Sequence, residues 1–195
     1  MATPDHPYVS RGGLKLAAGL DAFAVDPAGR SCVDLGCSTG GFTDVLLRRE
    51  AAKVFAVDTG YGVLDWNLRN DVRVIVMERT NAMHVELPEP VSIAVADAGW
   101  TRQAKLLPTF ARLLAIGGDV VTLVKPHYEG HGLDLRKHGG VLPDEALPAT
   151  LDAVRDDVAA AGFEVVAEVE SPVRGSSGKN AKGNREFLFH LKRLA

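Results

Sequence analysis

Apolar and polar positions along the chain alternate between two periods. Short apolar runs at residues 31–35, 54–58, 72–77, 91–97 and 119–124 have strand length and are rich in β-branched residues. The runs at 91–97 and 119–124 are apolar at nearly every position, which predicts burial on both faces, as in a parallel sheet. Between the runs the spacing turns helical. Leu16, Leu20 and Phe23 share a helix face, with Ser10 available as a cap, and a helix starts at Phe42. Residues 61–69 read as a short helix or turn. Residues 104–116 form a helix stopped by Gly117-Gly118, and residues 144–161 one stopped by Gly162. Strands at 163–169 and 186–191 close the chain as an antiparallel pair, joined across a glycine- and lysine-rich loop at 171–184. Residues 128–140 read as a second loop, and residues 1–9 as a flexible lead-in. Strands alternating with helices predict one domain over residues 1–195. Its expected fold is α/β, a Rossmann-like, doubly wound, mostly parallel sheet with an antiparallel C-terminal strand. Such sheets bind ligands beyond the carboxyl ends of their strands.

Chemistry-bearing residues gather at those ends. Ser31-Cys32-Val33-Asp34-Leu35-Gly36-Cys37-Ser38-Thr39-Gly40-Gly41-Phe42-Thr43-Asp44 passes from an apolar strand through glycine-rich backbone into a helix start. Glycines at such a turn let a ligand approach the main chain, and the unpaired N–H groups of the helix N-terminus point at it. A nucleoside triphosphate is disfavoured, because the glycines are not followed by the lysine of a Walker loop. Gly36, Gly40 and Gly41 also miss the Gly-x-Gly-x-x-Gly spacing of dinucleotide sites. The Asp-x-Gly-x-x-x-Gly pattern of Asp34, Gly36 and Gly40 resembles instead the loop of methyltransferases that use S-adenosylmethionine. The next strand ends in Asp58, placed to accept both hydroxyls of a ribose. Asp97 and Lys125 end strands that read as neighbours, so they are expected close together, with a structural ion pair at the sheet rim as the plain alternative.

Net charge is −3, so no overall basic field attracts nucleic acid. An RNA site must come from local clusters: Arg102 with Lys105, Arg136-Lys137-His138, or Arg174 with Lys179, Lys182 and Arg185. Cys32 and Cys37 flank the glycine turn and read as small buried thiols rather than a disulfide. The six histidines form no ligand-spaced set with the cysteines, so no metal is expected. No signal peptide or membrane-length apolar run is evident, which gives the expectation of a cytoplasmic protein without membrane contact.

Several runs together carry a resemblance. Tyr8-Val9-Ser10-Arg11-Gly12-Gly13-Leu14-Lys15-Leu16, the glycine turn, Val57-Asp58-Thr59-Gly60-Tyr61-Gly62, Leu123-Val124-Lys125-Pro126 and Gly183-Asn184-Arg185-Glu186-Phe187-Leu188 resemble the hemolysin-A (TlyA) branch of the FtsJ-like ribosomal-RNA methyltransferases. The resemblance spans nearly the whole chain, in order. It implies methyl transfer from S-adenosylmethionine to a ribose 2′-hydroxyl of RNA, with ribosomal RNA as the expected partner. The family's Lys-Asp-Lys-Glu tetrad falls on Lys15, Asp97, Lys125 and Glu186. A ribose hydroxyl is a weak nucleophile and needs a positioned base. An amine fills that role only where burial or a second cation lowers its pKa. Lys125 is the expected base, Lys15 its companion cation, and Asp97 and Glu186 the groups that orient both amines. The expected cofactor set is Asp34, Gly36, Ser38, Thr39, Gly40, Gly41, Phe42, Asp58, Asn81 and Asp97. Arg11, Trp100, Arg102 and Tyr128 are expected on the substrate side, where aromatic rings can stack on bases.

This chain departs from the family pattern on that same side. Ala98-Gly99-Trp100-Thr101-Arg102 replaces the usual Ser-Phe-Ile-Ser, Lys125-Pro126-His127-Tyr128-Glu129 replaces Lys-Pro-Gln-Phe-Glu, and Lys179-Asn180-Ala181-Lys182 extends the loop before Glu186. Only nine residues precede Ser10, where the branch usually has a small RNA-binding domain. The sequence therefore leaves two other readings open, a methyltransferase acting on a small molecule or protein, and a binding module that keeps the fold without catalysis.

Overall fold

The computed structural model describes residues 6–99, 101–130, 135, 140–175 and 183–194. Strands β1 (Ser31–Leu35), β2 (Lys53–Val57), β3 (Val74–Met77), β4 (Val91–Ala96), β5 (Leu114–Val124), β6 (Phe163–Glu170) and β7 (Phe187–Arg193) form one sheet in the order β3-β2-β1-β4-β5-β7-β6. The first five are parallel, whereas β7 runs antiparallel to both β5 and β6. The mostly parallel, doubly wound sheet read from the sequence is therefore the fold observed.

Period-two alternation along the central strands divides the core in two. Val33, Leu35, Ala94, Ala96, Val120 and Val124 face α4 (Gln103–Leu113) and α6 (Leu147–Ala160). Cys32, Val54, Ile93, Val95 and Val121 face α1 (Gly12–Phe23) and α2 (Gly41–Arg48). Both faces are apolar because helices cover both. Cys32 and Cys37 are buried free thiols, and burial pushes the Cys32 thiol up to about 12.

Three local expectations are corrected and one is refined. Ser10 does not cap α1 through its side chain: Arg11 is the capping residue, and the Ser10 carbonyl accepts the Gly13 N–H. Within the expected loose lead-in, Tyr8 and Val9 are held down. Both pack on the α1–α2 core, and the Val9 N–H donates to the Asp44 carboxylate at 2.9 Å. The 61–69 segment, expected as a short helix or turn, holds the short helix α3 (Trp66–Arg69), started by Asp65, whose side chain accepts the Asn67 N–H. Finally, α4 ends at Leu113 rather than Ile116. Leu114 pairs in register with Val91 and is buried in the sheet, and Gly117-Gly118 form the irregular stretch before Asp119 pairs with Ile93.

One contact ties the fold to its site. A Cβ at Gly41 would collide with Ser10 Oγ and lie 2.8 Å from the Gly13 nitrogen, so the glycine lets the start of α1 rest on the start of α2. That contact brings Lys15, four residues into α1, over the glycine turn.

Candidate active site

A cavity of about 680 Å³ opens beyond the carboxyl ends of β1, β2, β4 and β5, within the range of small-molecule sites. The turn after β1 forms its floor. The Val57 carbonyl at the end of β2 accepts the N–H groups of both Gly36 and Cys37, which fixes the turn against the neighbouring strand. Gly36 has φ +85°, and a Cβ there would lie 3.1 Å from the Asp97 carbonyl oxygen, so glycine allows the ends of β1 and β4 to meet.

Asp58 is held from two sides. Its Oδ2 accepts the Ser38 N–H at 2.8 Å and its Oδ1 the Gly60 N–H at 2.7 Å. Each oxygen keeps a lone pair for a further donor, as a carboxylate facing two vicinal hydroxyls must. Gly36, Ser38, Thr39, Gly41, Phe42, Asp58, Asn81 and Asp97 all line the cavity. Asn81 also starts a short 3-10 turn, its side-chain oxygen accepting the Met83 N–H at 2.9 Å.

Two members of the expected cofactor set do not line it. Asp34 is fully buried beneath the turn, where Oδ2 accepts the Thr43 hydroxyl at 2.7 Å and Oδ1 has no hydrogen-bond partner among the described residues. Burial pushes its carboxyl up to about 7, outweighing the Thr43 hydrogen bond. Gly40 is the left-handed capping residue of α2, turned toward Leu64 and Leu68. Both shape the turn from below.

Lys15, Asp97, Lys125 and Glu186 come together on one wall of this cavity. Lys125 Nζ lies 2.5 Å from Asp97 Oδ1, Lys15 Nζ 2.6 Å from Glu186 Oε2, and Lys15 Nζ also 3.9 Å from Asp97 Oδ2. Asp97 thus lies within ion-pair distance of both lysines. The pairs are mostly shielded from water, with side-chain exposures of 11% for Lys15, 3% for Glu186, 14% for Lys125 and 25% for Asp97. Asp97 is the most exposed of the four, so the chain of ion pairs opens to the cavity at the Asp97–Lys125 end.

On the expected substrate side, Arg11 and Tyr128 line the cavity. Arg102 does not; its neighbour Thr101 does, while Arg102 sits at the N-terminus of α4. Trp100, the 136–138 basic run, Lys179 and Lys182 lie outside the described residues. Sequence reasoning missed Met83 and Gly175 on the wall, and it named Arg174 only within a basic cluster and His127 and Asn184 only within longer runs, with no place in the cavity. The His127 ring lies 4.1 Å from that of Tyr128, and burial, aided by the Lys125 charge, pushes it down to about 4, so it is neutral at pH 7. The legible signal for Asn184 was its place beside Glu186 in the Gly-Asn-Arg-Glu run; its amide accepts the Leu142 N–H and donates to the Gly140 carbonyl.

The model of one protein family, the FtsJ-like methyltransferases, matches residues 8–193. The chain belongs to that family. Among FtsJ-like relatives, it is 45% identical over 193 residues to the 16S/23S rRNA (cytidine-2′-O)-methyltransferase TlyA of Mycobacterium tuberculosis, covering 96% of this chain and 69% of that protein. A solved structure of a hemolysin-like protein from Streptococcus thermophilus matches with TM-score 0.89 and 36% identity, over 99% of this chain and 70% of that one. The fold also recurs, at TM-score 0.64 and 18% identity, in an S-adenosylmethionine-dependent methyltransferase of Mesorhizobium loti, over 90% of this chain and 96% of that one.

Proposed function

We propose that this FtsJ-like enzyme methylates a ribose 2′-hydroxyl of ribosomal RNA, with Lys125 as the base. S-adenosylmethionine is the methyl donor and supplies an electrophilic methyl group on a sulfonium. The residues present suit it. The glycine turn gives a close main-chain floor, Asp58 can take the ribose hydroxyls, and the fully buried Asp34 holds the turn from beneath. One observation carries the catalytic reading: four ionisable side chains from distant parts of the sequence form a linked chain of ion pairs on the wall that Asp58 and the glycine turn also line.

In this reading Lys125 Nζ, in its amine form, accepts the proton of the 2′-hydroxyl as the oxygen becomes a nucleophile. The proton ends on Lys125 Nζ as the oxygen takes up the methyl, and the bound donor would thereby become a neutral thioether. Asp97 aims the Lys125 side chain through their 2.5 Å contact. Lys15, anchored by Glu186, competes for the same Asp97 carboxylate and places a second positive charge next to the pair. Tyr128 and Arg11 are placed to meet a base and a phosphate.

The test is methyl transfer from tritiated S-adenosylmethionine to unmodified ribosomal subunits, followed by ribose analysis. Label in 2′-O-methyl ribose is expected. Label in base or protein would overturn the substrate assignment, and no label with cofactor bound would overturn catalysis.

A further inference from the structure

The geometry points to Glu129 as a positioning residue that locks the loop bearing Asp97 to the loop bearing Lys125, an inference that rests on the methyl-transfer reading above. Glu129 is outside the tetrad and does not line the cavity. It ends α5 (Pro126–Glu129), a helix of four residues directly after Lys125. One helical turn has no stability of its own, so its placement must come from tertiary contacts. The buried Glu129 side chain supplies one, because its Oε1 accepts the backbone N–H of Gln103 at 2.8 Å.

Gln103 is the first residue of α4 and closes the loop that starts at Asp97. Its own buried side chain reaches back to β5. Nε2 donates to the Leu123 carbonyl at 3.1 Å, and Oε1 accepts the Thr122 hydroxyl at 2.9 Å. The chain on both sides of Lys125, Thr122-Leu123 before it and Glu129 after it, is therefore fastened to one residue of the Asp97 loop. The Asp97–Lys125 contact joins two side chains of which one is long and flexible. Such a pair holds one geometry only if the two backbones keep their spacing, and the Gln103–Glu129 bond sets it. A small displacement of a reacting group can lower a rate about a hundredfold.

Burial pushes the Glu129 carboxyl up to about 7, against the Gln103 bond and Arg102, so the site accepts a neutral side chain. Glu129→Gln keeps an oxygen acceptor, while Glu129→Ala removes it. For Glu129→Ala, turnover on ribosomal subunits should fall about 10- to 100-fold with the calorimetric Kd for S-adenosylmethionine within about twofold of wild type. Glu129→Gln should recover most of the rate. Thr122→Val, which deletes one bond of the same lock, should add little to Glu129→Ala. Hydrogen exchange should show the amides of Gln103 and the start of α4 losing protection together with those of residues 128–130 in Glu129→Ala. Wild-type turnover in Glu129→Ala, a Glu129→Gln rate as low as that of Ala, or cofactor binding lost in step with rate would overturn the lock. Unchanged exchange would overturn it whether or not RNA is methylated, whereas a wild-type enzyme that labels no RNA would count against the functional reading alone.

Discussion

Replacing Asp34 by Asn should make the protein more stable at alkaline pH and make little difference in acid. Asp34 is fully buried, one oxygen accepts from Thr43, and the other has no partner among the described residues. Burial raises its carboxyl to about 7, whereas in the unfolded chain it titrates near the ordinary value of 3.8. A raised folded-state value means that stability is fully present below the unfolded value and is lost as pH rises through the folded one. Between pH 5 and about 7 the native state holds a proton that the unfolded state has released, and the cost of folding grows with each unit. Two units correspond to about 3 kcal/mol, and above pH 7 the cost levels off. Asparagine keeps the shape and can still accept from Thr43, but it does not titrate. Urea unfolding of both proteins at pH 5, 6, 7 and 8.5 should therefore show the stability difference widening in favour of Asp34→Asn by about 3 kcal/mol across the series. Other groups that titrate in this range, such as Glu129, cancel in the difference. A difference independent of pH would refute the claim that burial raises the Asp34 carboxyl.

Three further outcomes follow from the same contacts. Lys15→Met leaves the buried Glu186 carboxylate without its 2.6 Å partner and should cost about 3–5 kcal/mol in urea unfolding, much of it recovered by adding Glu186→Gln. Gly41→Ala forces a Cβ against Ser10 and the Gly13 nitrogen, so it should cost about 1–3 kcal/mol in thermal unfolding and slow methyl transfer by shifting Lys15. Asp58→Ala should weaken S-adenosylmethionine binding about 10- to 100-fold by calorimetry, the loss expected for hydrogen bonds to a charged acceptor.

The parts of this molecule that were legible in its sequence are those written as local pattern. Both-sided apolar runs gave the central parallel strands, and their charged ends gave Asp58, Asp97 and Lys125. Lys15 came only through family resemblance, because nothing local marks a lysine in the first turns of α1 as a partner of a glutamate far along the chain. The Asp34 reading failed for a related reason. An acid in a glycine-rich strand-end motif looks ligand-facing, but strand alternation turns its side chain under the sheet rim toward Thr43. The end of α4 was misread because helical periodicity continues through residue 116, while sheet pairing of Leu114 with Val91 decides the structure. His127 and Arg174 were legible only as part of a run and of a basic cluster, since a four-residue helix and a loop carry no periodicity from which to infer which way a side chain points.

The central claim, that Lys125 removes the ribose proton within a linked set of ion pairs, is tested most directly by Lys125→Met. The single-turnover rate of methyl transfer to unmodified ribosomal subunits should fall by about 10²- to 10⁴-fold, with S-adenosylmethionine binding retained by calorimetry. Turnover at the wild-type rate in this variant would contradict it.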